Sequence, residues 1–126
     1  MGDYYLKGTK ETPEVNLQMT EGFLELSGVS LPEDPDVFYD IILEKLEEYF
    51  ESPAKKTICN FKFAYFNSAS SKKIYDILSL IKDAMDEGHK IEINWLTFEE
   101  DEEMIEAGEE YADLAEVPIN IEYIQV

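Results

Sequence analysis

Arginine is missing from this chain altogether, and all ten of its basic residues are lysine. The planar guanidinium fork that clamps a phosphate at two points, or reaches in as an arginine finger, is therefore excluded. Cysteine and histidine occur once each, as Cys59 and His89. A lone cysteine rules out an intramolecular disulfide, and Cys59, amid apolar neighbours, reads as a small buried hydrophobe. His89 follows Gly88 just past an expected helix end, an ordinary place for a capping group, and no nucleophile is paired with it. Gly-x-Gly-x-x-Gly and P-loop patterns are absent. No apolar run approaches a membrane span, and Met1-Gly2-Asp3-Tyr4-Tyr5 lacks the basic flank and apolar core of a signal peptide. Leu6 stands where N-myristoylation needs serine or threonine. The expectation is a cytoplasmic protein that is not an enzyme, with no catalytic residue, cofactor or specific metal site.

What is present in excess is negative charge. Twenty-nine acidic residues against ten lysines give a net charge of -19, which repels nucleic acid and anionic lipid and leaves proteins or cations as partners. No basic residue follows Lys90, so the C-terminal third is an acidic surface. The run Glu99-Glu100-Asp101-Glu102-Glu103 lacks calcium-loop spacing and predicts unspecific cation attraction rather than a site. Apolar content of 44% and aromatic content of 13% argue against disorder, and 126 residues suit one domain, 1–126, with its own core.

Tyr4 to Lys7 reads as a short strand or arm. Val15, Leu17 and Met19 alternate with polar residues, Thr20-Glu21-Gly22 turns, and Phe23, Leu24 and Leu26 resume, which predicts a β-hairpin. Asp34-Pro35-Asp36 opens a helix through Val37, Phe38, Ile41, Ile42, Lys45, Leu46, Tyr49 and Phe50, stopping at Pro53. Thr57 to Phe66 is a strand rich in β-formers. Ile74, Ile77, Leu78, Ile81 and Met85 mark a second helix with Gly88 at its C-terminal cap. Lys90 to Leu96 is a half-buried strand, the acidic run opens a third helix ending at Pro118, and Ile119 to Val126 is a last strand. The order β-β-β-α-β-α-β-α-β predicts an α/β fold, a mixed sheet with an N-terminal hairpin and three helices. Right-handed crossovers place the strand ends that precede helices on one rim, where partner sites collect.

One joint on that rim stands out: Asn67-Ser68-Ala69-Ser70-Ser71-Lys72, between the central strand and the second helix. Asn67, Ser68, Ser70 and Ser71 can all satisfy the orphan N–H groups of a first helical turn, so a serine-rich N-cap is one reading. Phosphorylation of a hydroxyl facing the positive end of the helix is the other.

The chain resembles the SiaC-type regulatory phosphoproteins along nearly its whole length. The residues that carry the likeness are Gly8-Thr9-Lys10-Glu11-Thr12-Pro13, Gly22-Phe23-Leu24-Glu25-Leu26-Ser27-Gly28, Leu31-Pro32-Glu33 and Tyr65-Phe66-Asn67-Ser68-Ala69-Ser70-Ser71-Lys72. The resemblance implies a fold related to the STAS anti-sigma-factor antagonists. It further implies that the unphosphorylated protein binds and activates a diguanylate cyclase, raising cyclic di-GMP and promoting biofilm behaviour. A partner Ser/Thr kinase switches it off and a PP2C-type phosphatase restores it. The family's joint reads approximately Tyr-Leu-Asn-Thr-Ser-Ser, with threonine as phosphoacceptor; by position that residue is Ser68 here, with Ala69 replacing the serine after it.

Phosphoserine brings about -1.5 to -2 charges and three acceptor oxygens, turning a neutral patch into one costly to desolvate. On this reading Ser68 is the switch, Ser70 the fallback acceptor, and Asn67, Ala69, Ser71 and Lys72 shape the turn or meet the partner. Lys72 and Lys73 either hold the phosphate as point charges or face solvent. The competing expectations are a scaffold in which Ser68 is only a cap, and an acidic cation-binding protein.

Overall fold

A computed structural model describes residues 2–124. The expected element order is the observed one: β1 (Tyr4–Leu6), β2 (Glu14–Gln18), β3 (Phe23–Ser30), α1 (Pro35–Glu51), β4 (Thr57–Phe66), α2 (Ser68–Asp86), β5 (Ile91–Thr97), α3 (Glu102–Ala115) and β6 (Asn120–Tyr123). The last strand is shorter than its alternation suggested, and the Gln125 and Val126 assigned to it lie outside the described residues.

The strands form one six-stranded sheet in sequence order, β1 to β6. β1, β2 and β3 are antiparallel neighbours, whereas β3 to β6 run parallel. Each crossover from β3 onward steps to the next position in the same direction, so the right-handed rule puts all three helices on one face. There α2 packs against α1 on one side and α3 on the other. The opposite face is polar, with Asn94 donating to Asn60 at 2.9 Å and Asn120 donating to Asn94 at 3.2 Å across three strands.

Burial follows from this one-sided layering. Leu24, Leu26, Cys59, Phe61, Phe63, Ile93 and Trp95 point under the helices and meet Tyr39, Ile42, Ile74, Ile77, Leu78 and Ile81. Each such side chain contributes about 1.5–3 kcal/mol by leaving water. Cys59 is fully buried, and that burial pushes its thiol from 9.0 up to about 12. Among the described residues no helix is long and apolar enough to cross a membrane.

Two local devices set the sheet's geometry, one at the rim where β3 and β4 begin and one near the rim where they lead into helices. Gly22 sits at φ 77° between the hairpin strands, where a Cβ would lie 2.6 Å from the Lys56 carbonyl, so no other residue fits that turn. Further along, Gly28 pairs with Phe63 but Val29 pairs with Tyr65, leaving Ala64 as a bulge in β4. Strict alternation after Thr57, Cys59, Phe61 and Phe63 would bury Tyr65. The bulge turns Tyr65 outward, 54% exposed, and Phe66 inward. Phe66 thereby joins Phe61, Phe63, Trp95 and Tyr111 in an aromatic cluster with ring centroids 5.6 to 6.4 Å apart.

Candidate switch and partner-binding site

The joint is built one residue at a time from the end of β4. Asn67 is in extended conformation, and its N–H donates to the Ser30 carbonyl at 3.2 Å, tying it to the end of β3. Its side-chain oxygen accepts the Ser70 N–H at 2.9 Å and its carbonyl accepts the Ser71 N–H at 3.0 Å. Asn67 is therefore the N-cap of α2, which overturns the reading of Ser68 as only a cap: an amide one residue earlier already fills that role.

Ser68 and Ala69 are the first two helical residues, and both are exposed. Their N–H groups belong to the first turn, which has no carbonyl four residues back to receive them. The Ser68 carbonyl accepts the Ser71 hydroxyl at 2.7 Å. The first turn of α2 carries no acidic residue, whereas α1 has Asp36 there and α3 has Glu102 and Glu103. The positive end of this helix alone is left without a neighbouring carboxylate from its own first turn.

Ser70, expected as a fallback acceptor, has its side chain turned into the core. It is fully buried, its hydroxyl donates to the Ser30 carbonyl at 3.1 Å, and it accepts from the Ser30 hydroxyl at 2.9 Å. With the Ser30 proton so committed, the Tyr39 hydroxyl must be the donor in its contact with Ser30 Oγ. Tyr39, Ser30 and Ser70 thus form a closed relay joining α1, β3 and α2. Burial raises the Tyr39 phenol above its ordinary value, the two serine hydroxyls partly offsetting it.

The two lysines expected near a phosphate diverge. Lys73 points to α1, 2.9 Å from Asp36 and 3.1 Å from Asp40, and those carboxylates hold its ammonium above its usual range. Lys72 is exposed on the other side of the helix. Ser68, Ser71, Lys72, Tyr75 and Asp76 stand at i, i+3, i+4, i+7 and i+8, one stripe of α2. Ser71, Lys72, Tyr75 and Asp76 of that stripe form one wall of a groove of about 510 Å³, with Ala107, Glu110, Tyr111 and Leu114 of α3 opposite and Phe66 at the β4 end, and Ser68 lies just outside the lining. Tyr111 spans the base of the groove, donating to the Ser71 carbonyl at 2.8 Å, and burial raises its phenol well above the ordinary value.

Ser30, Tyr39 and Tyr111 were not singled out in the sequence. Each reaches the joint from more than 25 residues away in the chain, and no local pattern marks such partners.

A model of the family described as SiaC family regulatory phosphoprotein matches residues 6–124, the joint included. The chain belongs to the SiaC family. An uncharacterized protein of Pseudomonas aeruginosa (strain UCBPP-PA14) is 25% identical over 122 residues, covering 97% of each chain. The crystal structure of apo-SiaC from Pseudomonas aeruginosa matches with a TM-score of 0.87 at 24% identity, covering 97% of this chain and 99% of that one. SiaC from the same organism, in a crystal structure of the diguanylate cyclase SiaD in complex with its activator SiaC, matches with a TM-score of 0.91 at 24% identity, covering 97% and 100%. The fold of these SiaC structures is thus kept over 97% of this chain.

Proposed function

We propose that this SiaC-family protein is a non-enzymatic, phosphorylation-switched activator of a diguanylate cyclase. Unphosphorylated, it binds the cyclase in the cytoplasm, raising cyclic di-GMP and favouring biofilm growth. A partner Ser/Thr kinase phosphorylates Ser68 and ends that binding, and a PP2C-type phosphatase restores it. Asn67 fixes the turn, while Ala69, Ser71 and Lys72 lie on the surface the partner meets.

The observation that carries this reading is Ser68 itself. It is exposed at the first position of α2, beside a cap made by another residue, on the one helix whose first turn has no carboxylate. A hydroxyl in that place is free for a kinase, and a phosphate on it gains from the helix dipole without disturbing the core. Ser70 is no substitute, because its hydroxyl is reached only by unfolding the joint.

The reading is tested by comparing wild type, Ser68→Ala and Ser68→Asp in pull-downs with the cognate cyclase and in cyclase assays. Ser68→Ala should bind, activate and resist kinase inactivation, and Ser68→Asp should neither bind nor activate. Equal binding by both variants, or phosphate mapped to another residue after kinase treatment, would sink the proposal.

A further inference from the structure

We infer that the groove between α2 and α3 is where the partner docks, and that the docking segment presents apolar side chains flanked by lysine or arginine. The inference rests on the function proposed above and names the surface on which that switch acts.

Leu114 is 65% exposed and Tyr75 38% exposed, facing one another across the groove, with Phe66 and Tyr111 beneath them. An exposed leucine in the last turn of α3 offers apolar area that a partner can remove from water. Around it the charge is one-sided. Asp76 and Glu110 line the groove and Glu106 and Asp113 stand exposed beside it, with Lys72 the only basic lining residue. Because the chain has no basic residue after Lys90, nothing on α3 neutralises that wall. An apolar plug with a cationic border is the complement of this surface, and the chain's excess negative charge would steer it in.

The same geometry explains how a single phosphate shuts the groove. Ser68 lies outside the lining but one helical turn before Ser71 and Lys72 on the same stripe of α2, so its phosphate would stand beside that end of the groove. An apolar segment covering it would have to strip its water without supplying donors. Lys72, four residues on, is drawn toward the phosphate and out of the lining. A cation of the partner held at Asp76 does not cancel this penalty. Asp76 lies eight residues from Ser68, roughly 12 Å along the helix, which exceeds the screening length of about 8 Å at physiological salt.

Binding of the full-length cognate diguanylate cyclase to the full chain, measured by titration calorimetry at two salt concentrations, tests this. Leu114→Glu, at an exposed position, should keep the wild-type melting temperature and weaken binding by about tenfold or more. Glu110→Lys should weaken it and flatten its salt dependence, while Glu48→Lys, on the exposed face of α1, should leave it unchanged. Unchanged affinity in Leu114→Glu and Glu110→Lys overturns the groove even if Ser68→Asp abolishes binding. Equal weakening by Glu48→Lys and Glu110→Lys also overturns it, since attraction would then follow net charge alone. If the groove variants weaken binding and Ser68→Asp does not, the groove stands and the switch falls. Absence of wild-type binding overturns both.

Discussion

The Tyr111 hydroxyl donates to the Ser71 carbonyl at 2.8 Å, so a residue of α3 holds the first turn of α2 three positions beyond Ser68. The bond crosses the groove floor and joins the two walls.

Replacing Tyr111 by phenylalanine should therefore cost about 1 kcal/mol in chemical denaturation, the usual net worth of one hydrogen bond. Amide hydrogen exchange in the first turn of α2 should quicken, with the rest of α2 unaffected. Unaltered exchange at residues 68–72 would show that the turn is held by Asn67 and the serine relay alone.

Phosphorylation should stabilise the fold rather than melt it. The first turn of α2 lacks an acidic residue, and a dianion on Ser68 would supply one, worth about 0.3–1 kcal/mol at low ionic strength. The phosphorylated protein should melt slightly higher than the unmodified one, and added salt should erase the difference. A lowered melting temperature would mean that the switch works by unfolding the joint.

Ser70→Ala should destabilise by about 1–3 kcal/mol, because the Ser30 hydroxyl and carbonyl then lose a partner in a dry site. Kinase-catalysed phosphate incorporation into the folded variant should remain stoichiometric, at Ser68. Loss of incorporation with the fold intact would return Ser70 to candidacy.

Gly108 lies in the middle of α3, where an added Cβ would stand 2.7 Å from the Trp95 ring. An alanine ordinarily strengthens a helix by up to about 1 kcal/mol, but here α3 must move off Trp95, an overpacking cost of about 1–3 kcal/mol. Gly108→Ala should be net destabilising and should change tryptophan emission, since Trp95 also donates to the Met104 carbonyl at 2.9 Å. A stabilised variant would show that α3 shifts freely.

Alkaline pH should weaken the fold through groups that burial keeps protonated. In the folded state the Cys59 thiol rises from 9.0 to about 12, and Tyr39 and Tyr111 are raised too. The unfolded chain releases these protons first, so their contribution is complete below pH 9 and falls as pH climbs toward 12. Denaturation series from pH 8 to 11 should show the loss, and a cysteine reagent at pH 8 should react only after unfolding. Rapid native-state labelling of Cys59 would contradict its burial.

Much of this protein was legible in residue order. Asp34 before Pro35 marks the start of α1, the apolar spacing of Ile74, Ile77, Leu78 and Ile81 marks α2, and alternation marks the hairpin, because capping and periodicity are local effects. The turn between β4 and α2 was legible for the same reason, with Asn67 and Ser68 at the helix start. Tyr65 was not. The alternation of β4 assigns it to the core, and only the bulge at Ala64 turns it out and brings Phe66 in. Ser70 and Ser68 are alike as sequence, both hydroxyls in one helical turn. They differ because Ser30, forty residues from Ser70, waits beneath one and water lies over the other. Nor did the chain order reveal the groove, since which helices lie side by side depends on strand order in the sheet. By itself, then, the sequence determined the elements, the charge and the capped turn between β4 and α2, all set by neighbours along the chain. The tertiary structure decided which serine is free, which lysine is committed and where apolar side chains stay exposed, because those depend on contacts that form only when distant segments pack.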